Sequence, residues 1–201
     1  MEQLSTRQLI LEHAVLQLDT AGSEAFRIDD VCAEAFVSKS SIYHFFGSRA
    51  GLIAAAECER YKASFLAEDR DPVAAADACT NRNEFMALVL AQIERSVLDP
   101  ANERVRTQRV AVIARAIETG DARDEVAATQ AAFIHELAVV FERAQEKGFV
   151  NPTLDCHAYA AFMHTLTLGR TLTAGGFADT TRWLEVAGAA AVAPLTSPDR
   201  A

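Results

Sequence analysis

Residues 28–49 read IDDVCAEAFVSKSSIYHFFGSR, and this stretch decides the fold of the chain. Val31 and Ala35 lie four residues apart, and the apolar period resumes at Ile42 and Phe46. This spacing predicts two short helices around a tight turn, the second ended by the glycine that follows. The stretch therefore predicts a helix-turn-helix.

The second of these helices has two chemically different faces. At about 100° per residue, one face is apolar and packs, and the other is free. The apolar residues are Ile42, Phe45 and Phe46, and the free ones are Lys39, Ser40, Tyr43 and His44. Lysine and hydroxyl side chains suit phosphate oxygens, and histidine suits a phosphate or a base edge. No carboxylate occurs in residues 36–49, although any short amphipathic helix could show such a pattern.

The flanking sequence makes the interpretation more specific. Spaced positions over the first quarter of the chain resemble the N-terminal domain of the tetracycline-repressor (TetR) family of bacterial regulators. They are Arg7, Ile10, Leu11, Ala14, Leu18, Gly22, Asp30, Val31, Val37, Ser38, Ile42, Tyr43, Phe46, Gly47, Ser48, Arg49 and Leu52. The resemblance implies an all-α fold, in which an N-terminal three-helix helix-turn-helix domain is joined by a fourth helix to a C-terminal helical bundle.

Three positions differ from what the family usually has. Arg27 replaces a Thr or Ser that caps the second helix and touches phosphate; arginine cannot cap, but it can reach a phosphate. Phe36 replaces a glycine in the turn, where a left-handed backbone is convenient, so we expect a slightly different turn. Arg49 replaces a lysine beside the second helix of the helix-turn-helix, and its guanidinium preserves a phosphate contact.

The pattern and the resemblance together give the candidates for DNA contact. They are Thr6, Arg27, Lys39, Ser40, Ser41, Tyr43, His44 and Arg49. The chain has a net charge of −9, and residues 1–50 carry four basic against seven acidic side chains. This balance argues against a protein that coats nucleic acid without sequence specificity. The acids fall on the first two helices, away from Lys39 and Arg49. We therefore expect modest DNA affinity per monomer that depends steeply on salt and on dimerisation.

Composition and the residues that begin and end helices predict the organisation of the chain. Its 201 residues are half hydrophobic, with five prolines and nine glycines, which suits a helical protein with a substantial core. Ser5 or Thr6 can cap the first helix and Ser48 the fourth. Asp121 can cap the longest helix, which runs to Gly148. We predict a DNA-binding domain at 1–48, a helical effector-binding and dimerisation domain at 49–195, and a tail at 196–201.

The C-terminal bundle is expected to bind an effector and to form a homodimer. Apolar residues on successive helices are candidates for lining a pocket, although core packing explains most of them equally well: Tyr61, Phe65, Phe85, Val89, Val112, Ile113, Phe133 and Leu137. The helix predicted over 155–172 combines small and large residues. Paired with the long helix before it, it suits either a two-fold interface or a monomer core, and the resemblance favours the interface. Its candidates are Val140, Phe141, Ala144, Ala158, Ala161, Phe162, Thr165 and Gly169.

Other classes of function find little support in the sequence. No catalytic motif is present, and the scattered histidines and the four cysteines, Cys32, Cys58, Cys79 and Cys156, lack metal-ligand spacing, so we expect no enzyme activity, no metal and no cofactor. A redox role for Cys58 or Cys156 stays open. No stretch of the sequence indicates a membrane span or a signal peptide, and we expect a cytoplasmic protein.

The sequence thus predicts a transcriptional regulator. The leading hypothesis is a repressor that a small hydrophobic or aromatic effector releases from a palindromic operator in double-stranded DNA. One alternative is an architectural or protein-interaction factor that binds DNA without an effector. Another is a helical ligand-binding protein that has lost DNA binding.

Overall fold

A computed structural model of the chain describes residues 4–66, 71–120 and 122–196, apart from the side chains of residues 65 and 66. Within these residues the chain forms ten α-helices, which confirms the predicted all-α fold. They are α1 (Thr6–Ala21), α2 (Ile28–Glu34), α3 (Lys39–Phe46), α4 (Arg49–Leu66), α5 (Pro72–Ala78), α6 (Arg82–Leu98), α7 (Pro100–Thr119), α8 (Arg123–Glu146), α9 (Cys156–Thr173) and α10 (Thr180–Val192), followed by a 3-10 helix at Ala193–Leu195.

The helices form two compact units. Unit 1 comprises Met1–Glu68 and Ala111–Thr129, and unit 2 comprises Asp69–Val110 and Gln130–Ala201. Unit 1 thus contains α1 to α4, the end of α7 and the start of α8. The predicted boundary after residue 48 divides the chain by function and stays a prediction.

Serine side chains begin three of the helices in unit 1. Ser5 forms a capping box with Gln8, whose backbone N–H donates to Ser5 Oγ at 3.3 Å. Ser38 Oγ accepts from the Ser41 N–H at 3.2 Å and Ser48 Oγ accepts from the Gly51 N–H at 3.0 Å. Each bond satisfies a backbone donor that the first helical turn leaves unpaired. The predicted caps of α1 and α4 are confirmed.

The core of unit 1 forms where α1 packs on α2 and α4 and where α3 packs on α4. The side chains of Ile10, Val31, Ile42 and Leu52 are almost completely buried in it. A second cluster joins α4 to the end of α7 and the start of α8, through Cys58, Tyr61, Ala116 and Val126. Helix α4 therefore packs along most of its length within this unit.

The core of unit 2 is built around aromatic residues. The Phe141 ring meets the edges of Tyr159 and Phe85, with ring centroids 4.6 and 6.1 Å away. Tyr159 Oη donates to the Ala191 carbonyl at 2.6 Å, which ties α9 to α10. Burial raises the pKa of this phenol, so the tyrosine stays a neutral donor.

Helix α8 is the longest helix of the described chain, as predicted. Its 24 residues span about 36 Å at the usual rise per residue. Asp121, the expected cap of this helix, lies outside the described residues. Ala122, just before the helix, has a φ of 54°, and Gly120 a φ of 77°.

Candidate nucleic-acid interface

Helix α3 presents the polar face that its sequence predicts. Ile42 is completely buried, whereas Lys39, Ser40, Tyr43 and His44 are exposed. Phe45, placed on the packed face by the sequence pattern, is 40% exposed. Ile42 occupies the middle of the apolar stripe, and Phe45 lies about 60° to one side of it on the helical wheel.

Lys39 is engaged by an acidic side chain of α2. Its Nζ lies 2.5 Å from Asp29 Oδ1, and both side chains are exposed. The hydrogen bond and charge of Asp29 raise the pKa of the lysine. The expectation that the acids of the first helices lie away from Lys39 is therefore wrong for Asp29, because the turn brings the starts of α2 and α3 together.

Serine hydroxyls cluster at the start of α3. Ser38 Oγ lies 2.7 Å from Ser40 Oγ and 3.0 Å from Ser41 Oγ. Ser40 is exposed and Ser41 is half-buried. A hydroxyl can rotate about its bond, so these groups can exchange a neighbour for a phosphate oxygen.

Arg49 is held by backbone carbonyls in this structure. Its Nε and Nη2 donate to the Phe26 carbonyl at 3.2 and 2.9 Å, and Nη2 also donates to the Ser23 carbonyl at 3.0 Å. The guanidinium also lies over the Phe26 ring, 5.7 Å from its centroid. Arg49 therefore fastens the start of α4 to the segment before α2, a structural role that its sequence position does not indicate.

Two further DNA candidates lie at helix starts. Thr6 is the first residue of α1, and Arg27 precedes α2 with no side-chain capping bond, as predicted. Both are exposed. Their side chains therefore belong to the surface of unit 1.

Phe36 occupies the turn in an unusual conformation. Its φ is 54° and the residue is 95% exposed. The expectation of a different turn is not met, because the phenylalanine itself adopts the left-handed conformation that glycine adopts more easily. The ring is exposed, so side-chain packing does little to offset the strain of this backbone conformation.

The eight effector candidates fall into separate groups. Tyr61, Val112 and Ile113 belong to the α4–α7–α8 cluster of unit 1. Phe85, Val89 and Leu137 belong to the core of unit 2. The Phe133 ring lies 5.0 Å from the His164 ring between centroids, and the side chain of Phe65 lies outside the described residues.

The eight interface candidates divide by burial. Val140, Phe141 and Ala144 are buried in the core of unit 2 itself, so they are not available to a partner. The candidates on α9 lie at its surface, exposed or half-buried: Ala158, Ala161, Phe162, Thr165 and Gly169. Periodicity cannot separate these sets because both recur at helical spacing.

A buried basic cluster in unit 2 has no counterpart among the sequence predictions. Among the described residues, the buried polar or charged side chains are Arg106, Arg109, His164 and Arg170. Arg106 and Arg109 lie three residues apart on α7, and Ile113 and Ala116 continue that spacing of three and four. This helical spacing could have indicated that the arginines lie on the buried face of α7. Arginines usually face water, however, so they are not counted as part of an apolar stripe.

Unit 1 also contains a cleft of roughly 440 Å³. Apolar residues and charged groups line it together: Arg7, Phe45, Phe46, Gly51, Ala54, Ala55, Gly120, Ala122, Arg123, Asp124 and Glu125. The Arg7 guanidinium lies over the Phe46 ring, 5.4 Å from its centroid. The cleft thus adjoins the end of α3, and the predicted effector candidates do not line it.

The cysteines are in environments that disfavour the thiolate. Burial raises the pKa of Cys58 to about 11, with a further contribution from Glu125. Burial also raises the pKa of Cys156, helped by Glu142 and Asp155. A thiol reacts through its thiolate, so neither residue is primed for redox chemistry. The described residues contain no group of three or more potential metal ligands, and none of their helices is long and apolar enough to cross a membrane.

Comparison with known proteins identifies the N-terminal domain. Residues 10–56 match the family model of bacterial regulatory proteins, tetR family. No curated protein matches the chain. The matched residues contain the helix-turn-helix and the start of α4, which confirms the predicted resemblance.

Solved structures share the fold over nearly the whole chain. A TetR-family transcriptional regulator from Rhodococcus sp. is similar at 22% identity and a TM-score of 0.62, covering 95% of this chain and 98% of that one. A TetR-family regulator from Cytophaga hutchinsonii is similar at 18% identity and a TM-score of 0.63, covering 98% of this chain and 100% of that one. A transcriptional regulator from Saccharomonospora viridis in complex with choline is similar at 17% identity and a TM-score of 0.59, covering 96% of this chain and 98% of that one. Residues 10–56 therefore carry the N-terminal domain of the TetR family of bacterial regulatory proteins, and the chain has the fold of TetR-family regulators.

Proposed function

We propose that this protein is a homodimeric transcriptional repressor that leaves a palindromic operator when a small-molecule effector binds. The observation that carries the proposal is the exposed polar face of α3 in a domain that matches the TetR family. Lys39, Tyr43 and His44 project from a helix that Ile42 anchors and that bears no carboxylate of its own. Such a face suits the major groove, where lysine and hydroxyl groups reach phosphates and base edges.

DNA binding is tested with an inverted repeat from the region upstream of the protein's own gene. Fluorescence anisotropy is measured with wild-type protein and with Lys39→Ala and Tyr43→Phe. Both changes should weaken binding while the helical circular dichroism stays the same, and loss of the lysine contact should lower the salt slope by about one unit. Equal titrations for all three proteins at two salt concentrations would refute the role of α3.

The homodimer is proposed to form through the outer face of α9. Ala158, Ala161, Phe162 and Thr165 lie on this surface, and Gly169 continues it. A Cβ added at Gly169 meets no atom within 4 Å, so the protomer itself tolerates a side chain there. Gly169→Glu should therefore give helical monomers with weak DNA binding, because two half-sites about 34–36 Å apart are no longer held together. Sedimentation of the variant as an intact dimer would reject this interface.

Effector response is proposed to act through α4. This helix begins beside α3 at Arg49 and reaches the Tyr61 cluster that includes the end of α7. A ligand changes DNA affinity only if it binds the DNA-incompetent arrangement more tightly, and a typical coupling is about 1–3 kcal/mol. Enlarging Ala56, which is buried on α4, should alter DNA affinity without any compound. Hydrophobic and aromatic compounds are screened by thermal shift and then by anisotropy on operator DNA.

One observation favours a second candidate, a helical ligand-binding protein that has lost DNA binding. Lys39 is paired with Asp29, and Arg49 donates to backbone carbonyls, so two cations expected at phosphates are already engaged. That candidate predicts ligand-induced stabilisation and no retardation of inverted-repeat DNA even at low salt, where electrostatic binding is strongest.

A further inference from the structure

Arg106 of α7 is buried without a full set of hydrogen-bond acceptors. The residue is 6% exposed, its Nε donates to Thr171 Oγ1 of α9 at 3.2 Å, and its Nη1 is buried without an acceptor in the described structure. A guanidinium stays charged at any physiological pH, so it cannot relieve its burial by losing a proton. A buried charged donor without an acceptor is destabilising, and a bound anion would remove that penalty.

A second buried arginine lies near Arg106. Arg170 of α9 is also buried, and its two amino groups donate to the Phe177 carbonyl at 2.9 Å and to Thr180 Oγ1 at 3.0 Å. These acceptors are neutral, and no ion pair joins Arg106 or Arg170 to a carboxylate among the described residues. Burial and the charge of Arg170 lower the pKa of Arg106, and Glu103, exposed one turn earlier on α7, opposes them.

An aromatic surface continues from this cationic group. Arg109, one turn along α7 from Arg106, places its guanidinium 5.8 Å from the centroid of the Phe133 ring. On the other side, the buried His164 ring lies 5.0 Å from Phe133, and His164 and Thr171 are seven residues apart on α9. Residues seven apart share a helix face, so His164 and Thr171 lie on the same face of α9, and the Phe133 ring of α8 lies near both His164 and Arg109.

We propose that Arg106 binds the carboxylate of a small organic acid with an aromatic or apolar body, and that this acid is the effector. Arg106 would supply its unused Nη1 donor, and Arg170 would add positive charge. The body of the acid would lie toward Phe133 and His164. This inference rests on the proposed function and names the chemical class of its effector. A cation such as the choline of the Saccharomonospora viridis structure would be repelled here.

The test uses the full chain and needs no DNA. Trp183 is the only tryptophan, and the Arg170 guanidinium lies 5.7 Å from its ring centroid, so its emission reports on this group. Benzoate and hexanoate are titrated against wild-type protein, with benzamide and hexanamide as neutral controls and inorganic phosphate as a further anion. Thermal unfolding is followed in parallel.

We expect the two carboxylates to change Trp183 emission and raise Tm, while the amides do neither. Arg106→Gln should weaken carboxylate binding about 10- to 100-fold, which is the usual range for losing a charge-assisted hydrogen bond in a buried site. Arg104→Gln, at an exposed position on the same helix, removes the same charge and should bind like wild type. Far-ultraviolet circular dichroism establishes that each variant is folded.

Several results would overturn the inference: no response to either carboxylate at millimolar concentration, equal responses to acid and amide, a response to phosphate alone, or equal binding by wild type and Arg106→Gln. Operator titrations separate this inference from the proposed function. A protein that binds operator and no carboxylate is a regulator with another effector. A protein that binds carboxylate through Arg106 and binds no operator retains the anion site and loses the proposed function.

Discussion

Arg115 Nη1 at the end of α7 lies 3.0 Å from Glu57 Oε2 in the middle of α4. The Glu57 side chain is only 15% exposed, and Arg60, one turn further along α4, pairs with Asp19 of α1 at 2.8 Å. The same stretch of α4 is therefore tied to α7 through one ion pair and to α1 through another. These contacts hold the middle of α4 against both α1 and the end of α7 within unit 1.

Replacing Arg115 should lower the free energy of unfolding more than replacing Glu57. Burial raises the pKa of Glu57 despite the opposing effects of Arg115 and Arg60, so desolvation of the carboxylate outweighs its pairing. Arg115→Gln leaves a largely buried carboxylate without this partner and should cost about 1–2 kcal/mol, whereas Glu57→Gln should cost less than about 0.5 kcal/mol. Urea unfolding at pH 7 measures both. Equal losses would show that the pair acts only as a surface contact.

Gly51 permits α4 to begin directly against the end of α3. A Cβ at this position would lie 2.1 Å from the Phe46 carbonyl oxygen, which also accepts from the Ser48 N–H at 2.8 Å. Both are backbone contacts, so no side-chain rotation can relieve the clash. Gly51→Ala should destabilise the protein by about 1–3 kcal/mol and displace α3, which weakens operator binding. Ala50→Ser, at the exposed neighbouring position, is the control and should leave Tm and DNA affinity within error.

The Lys39–Asp29 pair predicts that DNA affinity can be increased. A phosphate must compete with Asp29 for the lysine, and the carboxylate itself repels DNA. Asp29→Asn should therefore tighten operator binding several-fold at low salt, with a smaller gain at high salt. Anisotropy titrations at two salt concentrations measure the effect.

The control for this change is Asp30→Asn. Asp30 is the next residue on α2, and its carboxylate accepts from Gln17 Nε2 at 3.1 Å instead of pairing with Lys39. The variant alters net charge by the same amount, so it reports the general electrostatic contribution alone. An equal gain from both variants would mean that the ion pair itself does not limit DNA binding.

Local sequence signals predict most of the fold. Serine caps, glycines after helices and the 3.6-residue period depend on neighbours in the chain, so Ser5, Ser38 and Ile42 indicate their structural roles directly. The contacts of long side chains depend on tertiary packing. The Arg49 bonds to Phe26 and Ser23 join residues more than 20 positions apart, and no local pattern encodes them.

The candidate sites are less predictable than the helices. Val140 and Phe162 both fit an apolar helix stripe, but only packing shows that the first lies in the core and that the second is 39% exposed. Arg106 and Arg109 share a stripe with Ile113, and residue type alone assigns the arginines to water. A sequence pattern gives the face on which a residue lies, whereas burial also depends on which helix covers that face.

His164 should make stability depend on pH. Burial, together with the charge of Arg109, lowers the pKa of this imidazole from 6.5 to about 4. The His164 imidazole of the unfolded chain therefore takes up a proton below pH 6.5, while the same imidazole in the folded protein remains neutral until about pH 4. The free energy of unfolding should fall over this window by about 3 kcal/mol in total, of which about 2 kcal/mol is lost by pH 5.

Urea unfolding at pH 7.5 and 5.0 isolates this contribution when wild type is compared with His164→Gln. Other groups titrate in both proteins, so the difference between their pH dependences belongs to His164. The wild type should lose about 2 kcal/mol more than the variant on acidification. His157→Gln, an exposed histidine on the same helix, should behave like wild type. Parallel curves for wild type and His164→Gln would show that the imidazole is as easily protonated in the folded protein as in the unfolded chain.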